Sequence, residues 1–189
     1  MIRIAVVGDI GSGKSYCAKL FGYPVFNADI EVSKIYKKDK KCYKKFKKAL
    51  PKYINFFPIK KKELNKAIMA NKTNLKKIIR IVHPEIRARL RRFVIKHKYK
   101  KFIVLDIPLL IENKINKKSD ILVFVDSKRS EINKRLKKRP NYNASIFRKL
   151  KKLQLPLEIK KKKSNFIIKN NFMNNLAKKN VKYIRKNIL

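Results

Sequence analysis

Acidic residues, cysteines and long apolar runs are all scarce in this chain of 189 residues. The two cysteines, Cys17 and Cys42, belong to no CxxC or Cys/His pattern, which argues against a zinc site or a disulfide framework and is typical of a reducing cytosol. No apolar run reaches membrane-spanning length, and the opening MIRIAVVGD lacks the flanks of a signal peptide. We therefore expect a soluble, cytoplasmic protein with no membrane partner.

The shortage of acids makes the net charge unusual. There are 12 Asp and Glu against 53 Lys and Arg, so the formal net charge is +41. Such a charge is typical of nucleic-acid-binding proteins. However, the basic residues run from end to end, mostly as Lys, in a chain also rich in Asn, Ile, Phe and Tyr. Drift towards A/T-rich codons explains this equally well. We expect no specific nucleic-acid partner, and both explanations stay open here.

Apolar, β-branched segments predict a buried parallel sheet. With 44% hydrophobic residues, the chain is long enough for one domain with a packed core. Short runs without alternation are typical of strands that are covered on both faces. We predict strands at residues 3–7, 25–29, 102–107, 121–125 and 166–168, so that the fold class is α/β.

A complete phosphate-binding motif, GDIGSGKS at residues 8–15, follows the first predicted strand and precedes an amphipathic helix. It matches G-x-x-x-x-G-K-[ST] in the required context. In such a loop the backbone N–H groups surround phosphates, Lys14 reaches the β and γ oxygens, and Ser15 can ligate Mg²⁺. The alternative is a chance glycine-rich turn. We predict an ATP site with Mg²⁺ on Ser15, formed by Gly8, Gly11, Ser12, Gly13, Lys14, Ser15 and Tyr16.

The rest of the chain separates the classes of P-loop protein. No NKxD guanine-specificity motif follows a strand, because NKKSD at residues 116–120 has its aspartate one position late and ahead of the strand. Small-molecule kinases need an acceptor-binding insertion and an arginine-bearing lid. We predict a single domain, residues 1–189, with a three-layer P-loop NTPase-type fold. Its parts are a core of about 1–30, 101–131 and 164–189, a helical acceptor-binding insertion of about 31–100, and a helical lid of about 132–163.

Helical periodicity within these parts predicts individual helices. One amphipathic helix is expected around residues 35–50, and another begins with Pro84 in its first turn. In the lid we predict one helix at residues 131–139 and a second from 145 to about 163.

Several motifs in a fixed order resemble the dephospho-CoA kinase family, whose members transfer the ATP γ-phosphoryl group to the ribose 3′-hydroxyl of dephospho-CoA. The resemblance spans nearly the whole chain. It implies a kinase of coenzyme A biosynthesis with dephospho-CoA as its small-molecule partner, and we expect a monomer. The motifs are GDIGSGKS, NADI at 27–30, His83-Pro84 followed by EIR, IPLLIEN at 107–113, the pair Arg135 and Arg139, and Gln154 ahead of FIIKNN.

The resemblance assigns catalytic roles to Asp29, Arg135, Arg139 and Lys14. Asp29 matches the aspartate that orients and helps deprotonate the acceptor hydroxyl, and a carboxylate at a strand end beside the P-loop suits that task. Its alternative role is the N-cap of a helix beginning at Ile30. Arg135 and Arg139 are four residues apart and are expected to share a helix face of the lid, unless they are ordinary surface charge.

The same resemblance implies a substrate-binding set. For His83 the alternative is a packed or capping histidine, and for Glu112 it is a structural role. Asp106, at the end of a core strand, assists Mg²⁺ through water or anchors a loop. The predicted substrate-binding residues are Asp29, His83, Pro84, Arg87 and Glu112.

Four positions depart from the family pattern, and one of them is Pro140, which follows Arg139 where an acid is common. Asp9 stands where glycine is usual, and its charge near the phosphates would weaken nucleotide binding unless the side chain turns outward. Asn27 replaces the first acid of the usual DAD. Lys160 stands where arginine is expected, which keeps the charge but loses the bidentate grip of a guanidinium on phosphate.

Overall fold

The computed structural model describes residues 1–139 and 142–189, which contain one five-stranded sheet and flanking helices. The strands are β1 (Ile2–Gly8), β2 (Val25–Asn27), β3 (Phe102–Asp106), β4 (Ile121–Asp126) and β5 (Phe166–Lys169). The helices in these residues are α1 (Lys14–Leu20), α2 (Ala28–Lys38), α3 (Lys40–Ala49), α4 (Lys61–Ala70), α5 (Lys72–Lys96), α6 (Arg129–Lys137), α7 (Ala144–Lys151), α8 (Leu157–Lys162) and α9 (Asn174–Ile188). The chain divides into two compact units, residues 1–27 with 97–189, and residues 28–96.

The sheet has the strand order β2-β3-β1-β4-β5, and all its pairs are parallel. Ile4 in the central strand lies opposite Val104 on one side and Ile121 on the other. Phe21 and Ile184, which are buried, contribute to the core cluster around these strands. Because parallel sheets are covered on both faces, their strands carry continuous apolar runs, and the predicted α/β class is confirmed.

The second predicted strand, residues 25–29, is two residues too long. β2 ends at Asn27, which pairs with Asp106, and α2 begins at Ala28. Asp29 therefore lies in the first turn of α2, neither at the end of a strand nor at a cap before Ile30. Carboxylates are favoured in the first turn because they face the positive end of the helix dipole, which explains why the helix starts this early.

Pro84 does not begin a helix, contrary to the prediction. It lies inside α5, which runs without interruption from Lys72 to Lys96. A proline in a helix removes one backbone hydrogen bond. The buried stripe Ile78, Val82, Ile86 and Leu90 continues at four-residue spacing across that position, and burial of this apolar face keeps the helix intact.

Two other predicted helices are each divided. The segment at residues 35–50 is split at Asp39, whose carboxylate accepts the backbone N–H of Cys42 and caps α3. The segment from 145 to 163 is α7 and α8, with Pro156 at the N-cap of α8. The predicted lid also includes residues 140 and 141, which lie outside the described part of the chain. No helix in the described ranges is both long and apolar enough to span a bilayer.

In the unit of residues 28–96, one arginine side chain connects three helices. In α5, Arg89 donates to Glu31 at 3.1 Å, to Asp39 at 3.3 Å and to Glu85 at 3.2 Å. Burial alone would raise the pKa of Glu31, but hydrogen bonds from Lys34 and Arg89 outweigh burial and place that pKa below its usual value. These ion pairs link α2, the start of α3 and α5.

A buried ion pair supports the sheet of the other unit. The Nη2 of Arg3 in β1 donates to Asp120 Oδ2 at 2.7 Å, where the two side chains are 10% and 0% exposed. The same guanidinium donates to the carbonyl of Ile115 at 3.1 Å. Removing one partner of such a pair leaves a charge without compensation in a dry site.

We expect Asp120→Asn to lower the free energy of unfolding by about 3 kcal/mol, because Arg3 would keep its buried charge. Urea denaturation at neutral pH measures this loss. The matched control is Asp126→Asn, where an exposed carboxylate pairs with the exposed Lys161 at 3.2 Å. Its effect should stay under about 1 kcal/mol. Equal effects of the two substitutions would contradict a special role for the buried pair.

Candidate active site

The phosphate-binding loop connects β1 to α1, as the motif predicts. Gly13 is the N-cap of α1 and has a left-handed backbone with φ 91°. A Cβ at this position would collide with the side chain of Asn170. Only glycine meets both the backbone and the steric requirement, so this position tolerates no side chain.

Residues far away in sequence hold the loop in place. The side-chain amide of Asn170 donates to the carbonyl of Ser12 at 2.8 Å, and the hydroxyl of Ser127 donates to the same carbonyl at 2.9 Å. The Ser12 hydroxyl is buried without a hydrogen-bond partner among the described residues. The sequence analysis did not predict these roles of Asn170 and Ser127. Asn170 belongs to the FIIKNN motif, but nothing in that motif indicates a contact with the phosphate-binding loop.

Lys14 lies over its own loop. Its Nζ donates to the backbone carbonyl of Asp9 at 2.7 Å and to that of Gly8 at 3.4 Å. Ser15 and Tyr16, the next two residues of α1, are exposed. The loop therefore presents the ammonium group of Lys14 and the exposed hydroxyl of Ser15 beside its backbone N–H groups. Groups of these kinds bind phosphate oxygens and the metal ion that accompanies them.

Three polar side chains meet near the carboxyl ends of β2 and β3. The side-chain amide of Asn27 donates to Asp106 Oδ2 and lies 3.4 Å from the Ser15 hydroxyl. Asp106 is 2% exposed, and its charge adds to burial in raising the pKa of the Cys17 thiol to about 12. A hydroxyl, an amide carbonyl and a carboxylate are hard oxygen donors, so these residues fit Mg²⁺.

The acid predicted to be catalytic is exposed in the unit of residues 28–96. Within the described part of the chain, Asp29 makes no hydrogen bond or ion pair. Its charge nevertheless reaches Tyr36, whose pKa is raised to about 12, mainly by burial and further by Asp29. The carboxylate of Asp29 is therefore accessible to solvent, and its catalytic role stays a prediction.

The predicted substrate-binding residues of α5 lie along one stretch of the helix. Burial lowers the pKa of the half-buried His83, and the positive charge of Arg87 lowers it further. His83 is consequently neutral at pH 7, with one ring nitrogen able to donate and the other to accept. Pro84 and Arg87 are exposed.

The two predicted lid arginines do not share a helix face, so that prediction is wrong. α6 ends at Lys137, and the backbone N–H of Arg139 turns back to the carbonyl of Leu136. Arg139 therefore lies beyond the helix that carries Arg135. The guanidinium of Arg135 lies 4.5 Å from the ring centroid of Phe172, a cation–π contact that sequence reasoning missed.

Glu112 and Lys160 form a buried ion pair. Lys160 Nζ lies 2.6 Å from Glu112 Oε1, where the side chains are 3% and 10% exposed. The same oxygen accepts the backbone N–H of Leu155 at 3.0 Å. The ammonium of Lys160, which stands where the family pattern has arginine, is thus buried against Glu112. These contacts match the structural alternative for Glu112, and its substrate-binding role stays a prediction.

This pair should make stability depend on acid pH. Burial would raise the pKa of Glu112, but the hydrogen bonds from Lys160 and from the backbone outweigh burial and lower it below the usual value of 4.5. The stabilisation is thus complete above about pH 4.5 and is lost as the pH falls through the folded-state pKa. We expect the difference in unfolding free energy between the wild type and Glu112→Gln to shrink below that pH. Urea titrations between pH 3 and 7 test this, and a constant difference would contradict it.

One further contact joins the lid region to the loop. Lys151, the last residue of α7, places its Nζ 3.3 Å from Asp9 Oδ2. The Asp9 side chain thus turns to a lysine, and it is 6% exposed. No sequence signal could have singled out Lys151 among 53 basic residues.

The family model and the curated relatives agree on one family. Residues 2–175 match the family model described as dephospho-CoA kinase. A dephospho-CoA kinase of Wolbachia pipientis wMel is 35% identical over 170 residues, covering 87% of each chain. Two solved structures, TT1252 from Thermus thermophilus and a dephospho-CoA kinase from Campylobacter jejuni, superpose with TM-scores of 0.82 and 0.65.

These two structures are each 23% identical to the chain. The first match covers 100% of this chain and 97% of the other, and the second covers 98% and 96%. The likeness confirms the predicted three-layer P-loop kinase fold.

Proposed function

Because this chain belongs to the dephospho-CoA kinase family, we propose that it uses MgATP to phosphorylate the ribose 3′-hydroxyl of dephospho-CoA, with coenzyme A and ADP as products. Membership confirms the sequence-based prediction of an ATP-dependent kinase of this family. Beyond the family itself, we propose the metal ion, the hydroxyl group that receives the phosphoryl group and the part each residue plays.

The observation that carries the proposal is the built phosphate site. Gly13 in its left-handed conformation, the lysine folded over the loop and the hydroxyl of Ser15 occur together at the carboxyl end of β1. Such an arrangement binds a nucleoside triphosphate. Its place also agrees with the rule that open parallel sheets bind ligands at the carboxyl ends of their strands.

At the donor side, Lys14 would move from the carbonyl oxygens of its own loop to the β and γ oxygens of ATP. Ser15 would hold the metal ion directly and Asp106 through water, with Asn27 fixing the orientation of the Asp106 carboxylate. A bound Mg²⁺ would supply positive charge that offsets the negative charge of the phosphate groups. These residues thereby orient the γ-phosphoryl group for in-line attack.

At the acceptor side, Asp29 would accept the proton of the ribose 3′-hydroxyl as that oxygen attacks. Its exposure and its lack of an ion pair within the described residues support this role. The neutral imidazole of His83 can hydrogen-bond the acceptor, and Arg87 offers a guanidinium to its phosphates. Pro84 fixes the local shape of α5 between them.

For the lid, we propose that α6 to α8 cover the nucleotide and that residues 28–96 are the acceptor-binding insertion. Arg135 and Arg139 would offset the charge on the transferring phosphoryl group from two different backbone segments. The ring of Phe172 supports the first guanidinium at 4.5 Å.

A kinase assay with a panel of acceptors tests the proposal. ADP release is measured with dephospho-CoA, shikimate, AMP and 3′-deoxy-dephospho-CoA, with and without Mg²⁺. We expect turnover with dephospho-CoA alone, dependent on Mg²⁺, and none with the 3′-deoxy analogue. Turnover of another acceptor in preference to dephospho-CoA would disprove the substrate assignment, and phosphorylation of the 3′-deoxy analogue would disprove the position.

A further inference from the structure

The phosphate-binding loop contains a buried carboxylate. The Asp9 side chain is 6% exposed, and its Oδ1 accepts the backbone N–H of Ile10 at 2.8 Å. The side chain therefore belongs to the structure of the loop and does not extend into solvent. A negative charge here opposes the binding of a triphosphate, because like charges repel more strongly where water is excluded.

The other oxygen of this carboxylate meets a lysine from a distant helix. Lys151 Nζ lies 3.3 Å from Asp9 Oδ2. Within the described residues, Lys151 is the one cation that forms an ion pair with Asp9. Lys14 contacts the same residue, but through the backbone carbonyl at 2.7 Å. The charge of the loop is thus balanced by α7.

We propose that Lys151 is the counter-cation of Asp9 and a positioning residue for nucleotide binding, which lets this loop take up a triphosphate although it carries an acid. The inference rests on the proposed function, because it concerns the affinity of the same loop for ATP. The pair also ties the end of α7 to the loop, so that this helix and the nucleotide site form one electrostatic unit.

The competing explanation is an ordinary surface ion pair without effect on ligand binding. Exposed pairs contribute little, and the Lys151 side chain is 38% exposed. Asp9 differs, because burying a charge is costly unless a partner compensates it. If Lys151 is removed, the uncompensated charge of Asp9 lies within the loop that surrounds the phosphates, whereas other lysines can be removed without that result.

A double-mutant cycle on the full chain tests the inference. Dissociation constants for MgATP and for ADP are measured by calorimetry at 0.15 M salt for the wild type, Asp9→Asn, Lys151→Met and the double variant. We expect Lys151→Met to weaken MgATP binding about tenfold in the wild-type background and less than about twofold in the Asp9→Asn background. Asp9→Asn alone keeps the acceptor for Ile10 and should bind MgATP as tightly as the wild type or more tightly.

Two matched variants separate this effect from a general loss of charge. Lys152→Met removes a neighbouring exposed lysine of the same chain segment and should leave the dissociation constant within about twofold. Lys151→Arg keeps the ion pair and should also stay within about twofold. Thermal unfolding midpoints of all variants establish that each is folded under the binding conditions.

The outcomes are distinct. Equal effects of Lys151→Met in both backgrounds, or an equal effect of Lys152→Met, would overturn the inference while leaving the kinase assignment intact. If Asp9→Asn raised the dissociation constant for MgATP as much as Lys151→Met does, the inference would also be overturned. The ion pair would then act by holding the loop in shape and not by balancing its charge. A wild-type protein that binds no MgATP would remove both this inference and the proposed function.

Discussion

The Asp29→Asn variant is expected to lose about 10²- to 10⁴-fold in kcat while its dissociation constant for ATP stays unchanged. Asparagine has nearly the same size but cannot take up the proton of the attacking hydroxyl. Asp29 makes no hydrogen bond or ion pair within the described residues, so its replacement removes no stabilising contact there. Steady-state kinetics with dephospho-CoA, together with a direct ATP titration, measure both quantities.

The matched control for this substitution lies in the same helix turn. Glu31 is also in the first turn of α2, but it is engaged by Lys34 at 2.6 Å and by Arg89 at 3.1 Å. Glu31→Gln should reduce stability slightly and leave kcat within about threefold of the wild type. Near-normal turnover by Asp29→Asn would remove Asp29 from the chemistry, and equal losses in the two variants would point to damage of α2.

Lys14→Ala is expected to lower kcat/KM for ATP by about 10³-fold and to weaken ATP binding measurably. The reason is local, because Lys14 already lies over the loop, 2.7 Å from the carbonyl of Asp9. Loss of one charge from a chain with a net charge of +41 hardly changes the overall field. Kinetics at several ATP concentrations and calorimetry with ADP provide the measurements.

Lys19→Ala is the control for Lys14→Ala. Lys19 is exposed in the last turn of the same helix, and its removal changes the net charge equally. It should leave kcat/KM within about twofold. If Lys14→Ala behaved like this control, the loop would not grip phosphate through its lysine, and the mechanism proposed above would be untenable.

The fold could be predicted because its signals are local. The strand at Ile2–Gly8 has a continuous apolar run from Ile4 to Val7, and the motif at residues 8–15 follows it directly. Strand, loop and helix are each specified by residues close in sequence, and a parallel sheet needs no alternation to be recognised. The same holds for β3 and β4, whose bounds differ by a single residue from those predicted.

The extent of α5 could not be predicted, because tertiary burial decided it. α5 continues through Pro84 since its apolar stripe is buried before and after that residue. Arg139 falls outside α6 because the chain turns at Leu136, although spacing alone put it on the face of Arg135. In α5 the local rule for proline was overridden by packing that only the folded chain contains.

Contacts between residues far apart in the chain could not be predicted from the sequence either. Lys160 with Glu112, Lys151 with Asp9, and Asn170 with Ser12 join residues that are far apart in the chain. With 53 basic residues, spacing cannot show which lysine finds which acid. The P-loop residues were therefore predictable as a motif, whereas the residues that hold the loop and balance its charge were not.

Because of the ion pairs described above, the chain should tolerate substitutions of its basic residues better than substitutions of its acidic residues. At least eight of its 12 carboxylates take part in an ion pair, and three of these eight share Arg89 as a partner. A chain this rich in lysine can exchange most of its cations freely, but the loss of any of these eight acids breaks a specific partnership. Variation among close relatives should therefore accumulate on the basic side, with the few acids as its most constrained positions.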